Sequence, residues 1–224
     1  MSKLRRLWLV WPALAWAAAA AAPPPAADGA WNAPYAEKQA ALAAPADAAR
    51  GEIAFEVCQG CHRSGALGRT DGSYPRLAGQ HASVLIKQMT DIRAGLRRNE
   101  KMRPFIDESV AGTQDLADIA AYLAGLPSPP NNGQGPGTDL ARGEALYRAE
   151  CSDCHGRRGE GDPGKFYPRL NGQHYRYMLR EVADIRDGRR GNANPHMVTV
   201  VKKLPDAEIA AIVDYLSRLP TGPR

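Results

Sequence analysis

The residues able to do chemistry stand in two short groups, Cys58-Gln-Gly-Cys61-His62 and Cys151-Ser-Asp-Cys154-His155, which hold all four cysteines of the 224-residue chain. Several chemistries use a C-x-x-C pair. A four-cysteine zinc site places its pairs about 15–20 residues apart, whereas 89 residues lie between Cys61 and Cys151. A thioredoxin-like dithiol needs a βαβ context, and no segment here shows strand alternation. A structural disulfide suits an oxidising compartment but leaves the two histidines unexplained. C-x-x-C-H as a haem attachment sequence explains all five positions. Two thiols three apart on a turn reach the two vinyl groups on one side of a porphyrin, and the next residue is set beneath the iron. The pattern predicts two covalently bound haem c groups, held by Cys58, Cys61, Cys151 and Cys154, with His62 and His155 as iron ligands.

Each iron then needs a second axial ligand. Met102, Met89 and His81 are candidates in the first copy; Met197, Met178, His174 and His196 in the second. Met89 and Met178 fall on the apolar stripe of a predicted helix and do not align with each other, so they read as core filler. Met102 and Met197 sit in stretches read as irregular, Asn99-Glu-Lys-Met102-Arg-Pro104 and Asn194-Pro-His-Met197, and align once a two-residue shift is allowed. They are the expected ligands. His81 and His174 match between copies, which leaves two readings: bis-histidine ligation, or a helix-start histidine on backbone or a propionate. His196 has no counterpart. A soft, neutral thioether favours ferrous iron and fills the last coordination position. No catalytic residue is therefore expected, and electron transfer is. The carbonyls of Pro75 and Pro168, each 13 residues past its histidine, are the expected acceptors that orient the two imidazoles.

The elements that position these residues come in duplicate. Tyr74-Pro-Arg-Leu-Ala-Gly-Gln-His81 recurs as Tyr167-Pro-Arg-Leu-Asn-Gly-Gln-His174, and 13 of 26 positions are identical between 74–99 and 167–192. The same shift of 93 relates the C-x-x-C-H units, Tyr122 to Tyr215 and Pro127 to Pro220. A period this long means two domains rather than a solenoid. Three helices are predicted in each: one before the cysteines (Gly51 and Phe55; Gly143 and Tyr147), a second over 81–94 and 174–187, and a third carrying Leu116, Ile119, Ala120 and Leu123, with twin Ile209, Ile212, Val213 and Leu216. The fold expected is all-α, with domains at 47–127 and 141–224. Residues 128–140 form a linker of mixed stiff and flexible character. Residues 28–46 are an N-terminal extension, either packed on the first domain or loosely ordered. A domain of about 80 residues buries little apolar area and commonly needs a staple. A covalent haem supplies one, and its bulk explains why 7% aromatic residues suffice.

Lys3, Arg5 and Arg6 precede an apolar run over 7–22, shorter than the roughly 20 residues that span a bilayer. Residues 1–27 read as an export signal, with a retained membrane anchor as the alternative, and either way the mature protein is expected to work outside the cytoplasm. Without those three cations the formal charge of +5 becomes +2, and no nucleic-acid motif accompanies it, so nucleic-acid binding is not expected. Arg97, Arg98, Lys101 and Arg103 cluster near Met102, and Arg186, Arg189, Arg190, Lys202 and Lys203 near Met197. These clusters steer an acidic partner or are simply solvated faces and propionate partners.

On the two C-x-x-C-H units, the doubled Y-P-R-L-x-G-Q-H, the D-I-R-x-G that follows and the methionines before a final Y-L helix, the sequence resembles the dihaem cytochromes c₄ over roughly 45–220. The resemblance implies tandem class I cytochrome c domains facing each other. It implies packing of the Gly51/Phe55 helix against the Tyr122 helix, and of its twin against Tyr215. It also implies a periplasmic, often membrane-associated carrier between redox proteins: a quinol-oxidising complex or dehydrogenase as donor, a terminal oxidase as acceptor. Met102 lacks the nearby proline that precedes Met197, and the Ala/Pro-rich entry to the first copy has no place in the resemblance. The alternative functions are a haem-bearing subunit of a periplasmic dehydrogenase for sulfide, thiosulfate or an alcohol, and an autonomous dihaem peroxidase or thiosulfate oxidase.

Overall fold

The computed structural model describes residues 31–221; the predicted export segment 1–27 lies outside them. Ten α-helices follow in order: α1 (Ala36–Ala43), α2 (Ala48–Ala54), α3 (Gln59–His62), α4 (Ala82–Arg93), α5 (Thr113–Gly125), α6 (Leu140–Glu150), α7 (Ser152–His155), α8 (Tyr175–Arg186), α9 (Pro195–Val201) and α10 (Asp206–Ser217). Among the described residues β-pairing is limited to one isolated bridge, Asp162 with Tyr167. The chain is all-α, as its periodicity predicts.

In each half the helix before the cysteines crosses the last helix, and a glycine permits the crossing. A Cβ on Gly51 would stand 2.0 Å from the Asp118 carbonyl oxygen of α5, and one on Gly143 would stand 2.1 Å from that of Ala211 on α10. One turn later Phe55 meets Tyr122 (ring centroids 5.8 Å apart) and Tyr147 meets Tyr215 (5.9 Å). Phe55, Leu116 and Leu123 fill the first core and Tyr147, Ile209 and Leu216 the second.

The two halves meet through the repeated segment itself. Gln173 accepts from the Arg76 backbone N–H (2.9 Å) and donates to the Arg76 carbonyl (2.9 Å). Gln80 does the same to Arg169, at 2.9 Å both ways. His81 Nε2 lies 2.7 Å from the Glu160 carbonyl and His174 Nε2 lies 2.7 Å from that of Leu67. Every partner is related by the shift of 93, so the contact is isologous, the geometry of a twofold dimer within one chain. The linker is pinned rather than loose: Arg76 donates to the Pro129 carbonyl (2.8 Å), Asn132 to the Ser217 carbonyl (2.6 Å) and the Gly133 N–H to His174 Nδ1 (3.0 Å).

The extension resolves into α1, packed on α4 and α5 with Lys38 and Ala41 buried. Tyr35 donates to Asp91 (3.1 Å), and Glu37 pairs with Arg93. Under this cover the Lys87–Asp91 ion pair of α4 is buried. The twin of Asp91 on α8, Asp184, is only partly buried and pairs with Arg189 at 2.6 Å. Among the described residues the second domain has no counterpart of α1.

Candidate haem sites

Cys58 ends a short 3₁₀ turn over Phe55–Cys58, and Cys61 and His62 lie on α3. Cys151 caps α7, which carries Cys154 and His155. One turn thus aims two sulfurs and an imidazole at the same space in each half. His62 Nδ1 is 3.3 Å from the Pro75 carbonyl and His155 Nδ1 is 3.3 Å from that of Pro168. The pair of acceptors read from the spacing is the pair observed. Donation from Nδ1 leaves Nε2 with its lone pair. Burial depresses the pKa of both imidazoles, against the pull of the proline carbonyls, which favours the neutral form that ligates a metal.

Burial also pushes the Cys58 thiol up to about 11 and the Cys151 thiol up to about 12. That is opposite to the depression that marks a nucleophilic cysteine. Neither C-x-x-C pair is a disulfide. Among the described residues no cluster of three or more His, Cys, Asp or Glu side chains could hold a bare metal ion.

One predominantly apolar cavity runs past both histidines, and Met102 and Met197 line it. Leu85, Ile119 and Leu123 form its wall in the first half, and Val182, Ile212 and Leu216 in the second. The residues fit an iron porphyrin: a thiol pair, a neutral imidazole and a thioether border an apolar slot in each half. Met89 and Met178 are buried on α4 and α8 within the two cores, as core filler should be. Met102 immediately precedes a 3₁₀ turn over Arg103–Ile106. Met197 stands on α9 instead of in the irregular stretch expected. Asn194 accepts from the His196 N–H (2.9 Å) and Pro195 occupies the first turn, so the segment carries its own start signals. His81 and His174 make the interdomain backbone contacts described above.

The arginines of the basic clusters other than Arg103 are held in ion pairs. Arg97 and Arg190, twins under the shift of 93, both pair with Glu181 (3.0 and 2.9 Å) and both donate to Gln88 (3.0 and 2.9 Å) between the domains. Arg186 pairs with Asp187 and Asp206, Arg189 with Asp184 and Asp187, and Arg98 with Glu100. Three residues at the site were not singled out for these roles. Gln80 and Gln173 were signalled by their place in a repeat longer than haem attachment requires. Trp31, which lines the same cavity, had no such signal.

The cytochrome c family profile matches residues 48–127 and again residues 140–220. The chain is 36% identical over 196 residues to cytochrome c4 of Azotobacter vinelandii, across 79% of this chain and 90% of that one. It is 31% identical over 173 residues to a thiosulfate dehydrogenase electron acceptor of Stutzerimonas stutzeri, across 73% and 79%. The crystal structure of reduced recombinant cytochrome c4 from Pseudomonas stutzeri superposes with a TM-score of 0.71 at 30% identity, over 78% of this chain and all of that one.

Proposed function

Because the chain belongs to the cytochrome c family, with two such domains and two covalently bound haem c groups, we propose that it carries single electrons between periplasmic redox proteins, toward a terminal oxidase. Cys58 and Cys61 attach one haem and Cys151 and Cys154 the other. His62 and Met102 would hold the iron of the first haem, and His155 and Met197 that of the second. When bound, each haem supplies a one-electron ferric/ferrous couple in which methionine ligation favours the reduced form. The chain's own residues orient the imidazoles through Pro75 and Pro168, exclude water with an apolar wall and hold the two sites against each other. The observation that carries this reading is the doubled arrangement of proline-held imidazole and methionine on one cavity.

With histidine and methionine both holding the iron, no position would be left for oxygen or peroxide, which favours a carrier over an enzyme. No described helix is long and apolar enough to cross a membrane. The basic and apolar start of the sequence supports export, and the cytochrome c4 relatives support the periplasm as its destination.

A redox titration of the purified holoprotein with optical and EPR spectra tests the reading. Two low-spin His–Met centres are expected, and Met102→His or Met197→His should lower one midpoint on the order of 0.1 V, within the about 0.8 V that axial ligation spans. A high-spin centre, or midpoints indifferent to both substitutions, would sink it. The thiosulfate dehydrogenase electron acceptor among the relatives favours a second reading, in which the donor is a periplasmic dehydrogenase that holds this chain as a subunit. Co-purification of such a partner from solubilised membranes separates the two.

A further inference from the structure

Residues 31–46 precede both segments matched by the cytochrome c profile, and no equivalent precedes the second domain. They nevertheless reach across the molecule. From α1 on the first domain the chain runs back through Tyr35 to Trp31, whose indole stacks on Tyr167 of the second domain (centroids 6.3 Å apart, planes 17° apart). Lys38 donates to Asn32 (3.0 Å) and Tyr35 to Asp91 (3.1 Å), which fix the run between helix and indole. Lys87 of α4 places its ammonium 5.1 Å from the indole centroid, a cation–π contact made from a buried side chain. Asp91, the ion-pair partner of Lys87, also accepts from Asn192 of the second domain at 2.7 Å.

Tyr167 is the residue before Pro168, whose carbonyl orients His155, and its ring lies 6.2 Å from that imidazole. Trp31, Tyr167 and His155 thus form a row of rings along one wall of the cavity. The first domain has no such row. Its Tyr74, twin of Tyr167, stands 6.0 Å from His62 and is flanked by the Arg69 guanidinium at 5.7 Å from its centroid. Two sites with the same covalent plan therefore differ on this wall: an indole backs one tyrosine, a cation the other.

We propose that Trp31, carried on the first domain, is a positioning residue for the second haem site, acting through Tyr167. It stiffens the Tyr167–Pro168 segment that holds His155 and keeps water from that side of the iron. A drier shell around a redox centre disfavours the form with the greater charge, so Trp31 raises the second midpoint and not the first. The proposal rests on the His–Met reading above, which the wild-type titration tests by itself.

The test is a spectroscopically monitored redox titration of holoprotein carrying Trp31→Ala or Trp31→Phe, with each centre assigned by the NMR signal of its axial methionine methyl group. In Trp31→Ala the midpoint of the Met197 centre falls while that of the Met102 centre stays. In Trp31→Phe, which keeps a stacking ring, most of the difference returns. Equal movement of both midpoints, movement of neither, or a fall in Trp31→Phe as large as in Trp31→Ala overturns the proposal. Wild-type spectra lacking two His–Met centres would instead remove the reading beneath it.

Discussion

The position after each C-x-x-C-H histidine is a place where two nearly identical sites are built from different residues under the same backbone demand, as Ala66 and its twin Gly159 also are. The chain must reverse there, and both copies do so at positive φ: Arg63 at φ 66° and ψ 163°, Gly156 at φ 80° and ψ 162°. This region is essentially open to glycine alone and costs other residues about 1–3 kcal/mol. In the second copy a Cβ on Gly156 would lie 2.3 Å from the Glu160 carboxyl group, so any other residue there would also have to displace that side chain. Arg63 is exposed, so its strain is in the backbone and not in its surroundings. Arg63→Gly relieves that strain at an entropic cost of about 0.5–1 kcal/mol, and a net gain of about 1 kcal/mol is expected, read as a higher melting temperature of the first domain in calorimetry of the holoprotein. An unchanged or lower value would show that Arg63 is not strained. The local geometry was readable residue by residue, because the Pro75 and Pro168 carbonyls keep one spacing of 13 residues from His62 and His155. The strain was readable only by laying Arg63 on its twin glycine, since arginine alone gives no hint of positive φ.

Helices long enough to show a period lay where the period put them: α4 spans Ala82–Arg93 against an expected 81–94, and α8 spans Tyr175–Arg186 against 174–187. The short ones did not announce themselves. Pro195–Val201 is a seven-residue helix whose existence depends on a capping asparagine and a first-turn proline, signals that a search for periodicity passes over. The eight residues of α1 hide a buried lysine in an alanine-rich run, so no apolar stripe marks them. Crossing geometry was legible only through small residues. Gly51 and Gly143 hold equivalent places, and each brings its helix against a backbone carbonyl closer than any side chain permits. Asp118 secures the first crossing by accepting from the Asp47 N–H (2.7 Å) and from Arg50 Nε (2.7 Å). Gly51→Ala and Gly143→Ala must each push two helices apart at the back of a haem pocket. Overpacking of this kind costs typically 1–3 kcal/mol and at times more. Denaturant melts of each holoprotein variant should show that loss, with Phe55–Tyr122 or Tyr147–Tyr215 packing disturbed in the near-ultraviolet spectrum. Stability equal to wild type would mean that the helices separate freely and that the glycines are incidental.

Across the whole molecule, the segment repeated most faithfully turns out to have two duties, which explains why it is longer than either needs alone. Its proline holds the imidazole of its own domain, while its arginine backbone, glutamine and histidine bind the other domain. A self-complementary contact requires the same residues on both sides, so duplication preserves it without new sequence. The repeat was plain in the sequence, but its partner was not, because a polar motif at a helix start looks the same whether it faces solvent or its own copy. The Gln173 amide satisfies both the N–H and the carbonyl of Arg76, a residue 4% exposed. Gln173→Ala leaves two buried backbone groups without partners, at about 1–3 kcal/mol each, and Gln80→Ala frees the matching groups of Arg169, which are only partly buried, at a smaller cost. Each glutamine holds the N–H of the peptide group whose carbonyl orients an imidazole, Pro75–Arg76 for His62 and Pro168–Arg169 for His155, so the midpoint of that one centre should move as well. The relative placement of the sites should also loosen. After one-electron flash reduction, internal equilibration between the two centres is expected to slow several-fold in either variant and further in the double variant. An internal rate equal to wild type in the double variant would mean that these bonds hold the domains together without setting the electron path. In that case the Arg97–Glu181–Arg190 cluster and the Trp31–Tyr167 stack, which bridge the same two domains, would have to fix the distance between the haems on their own.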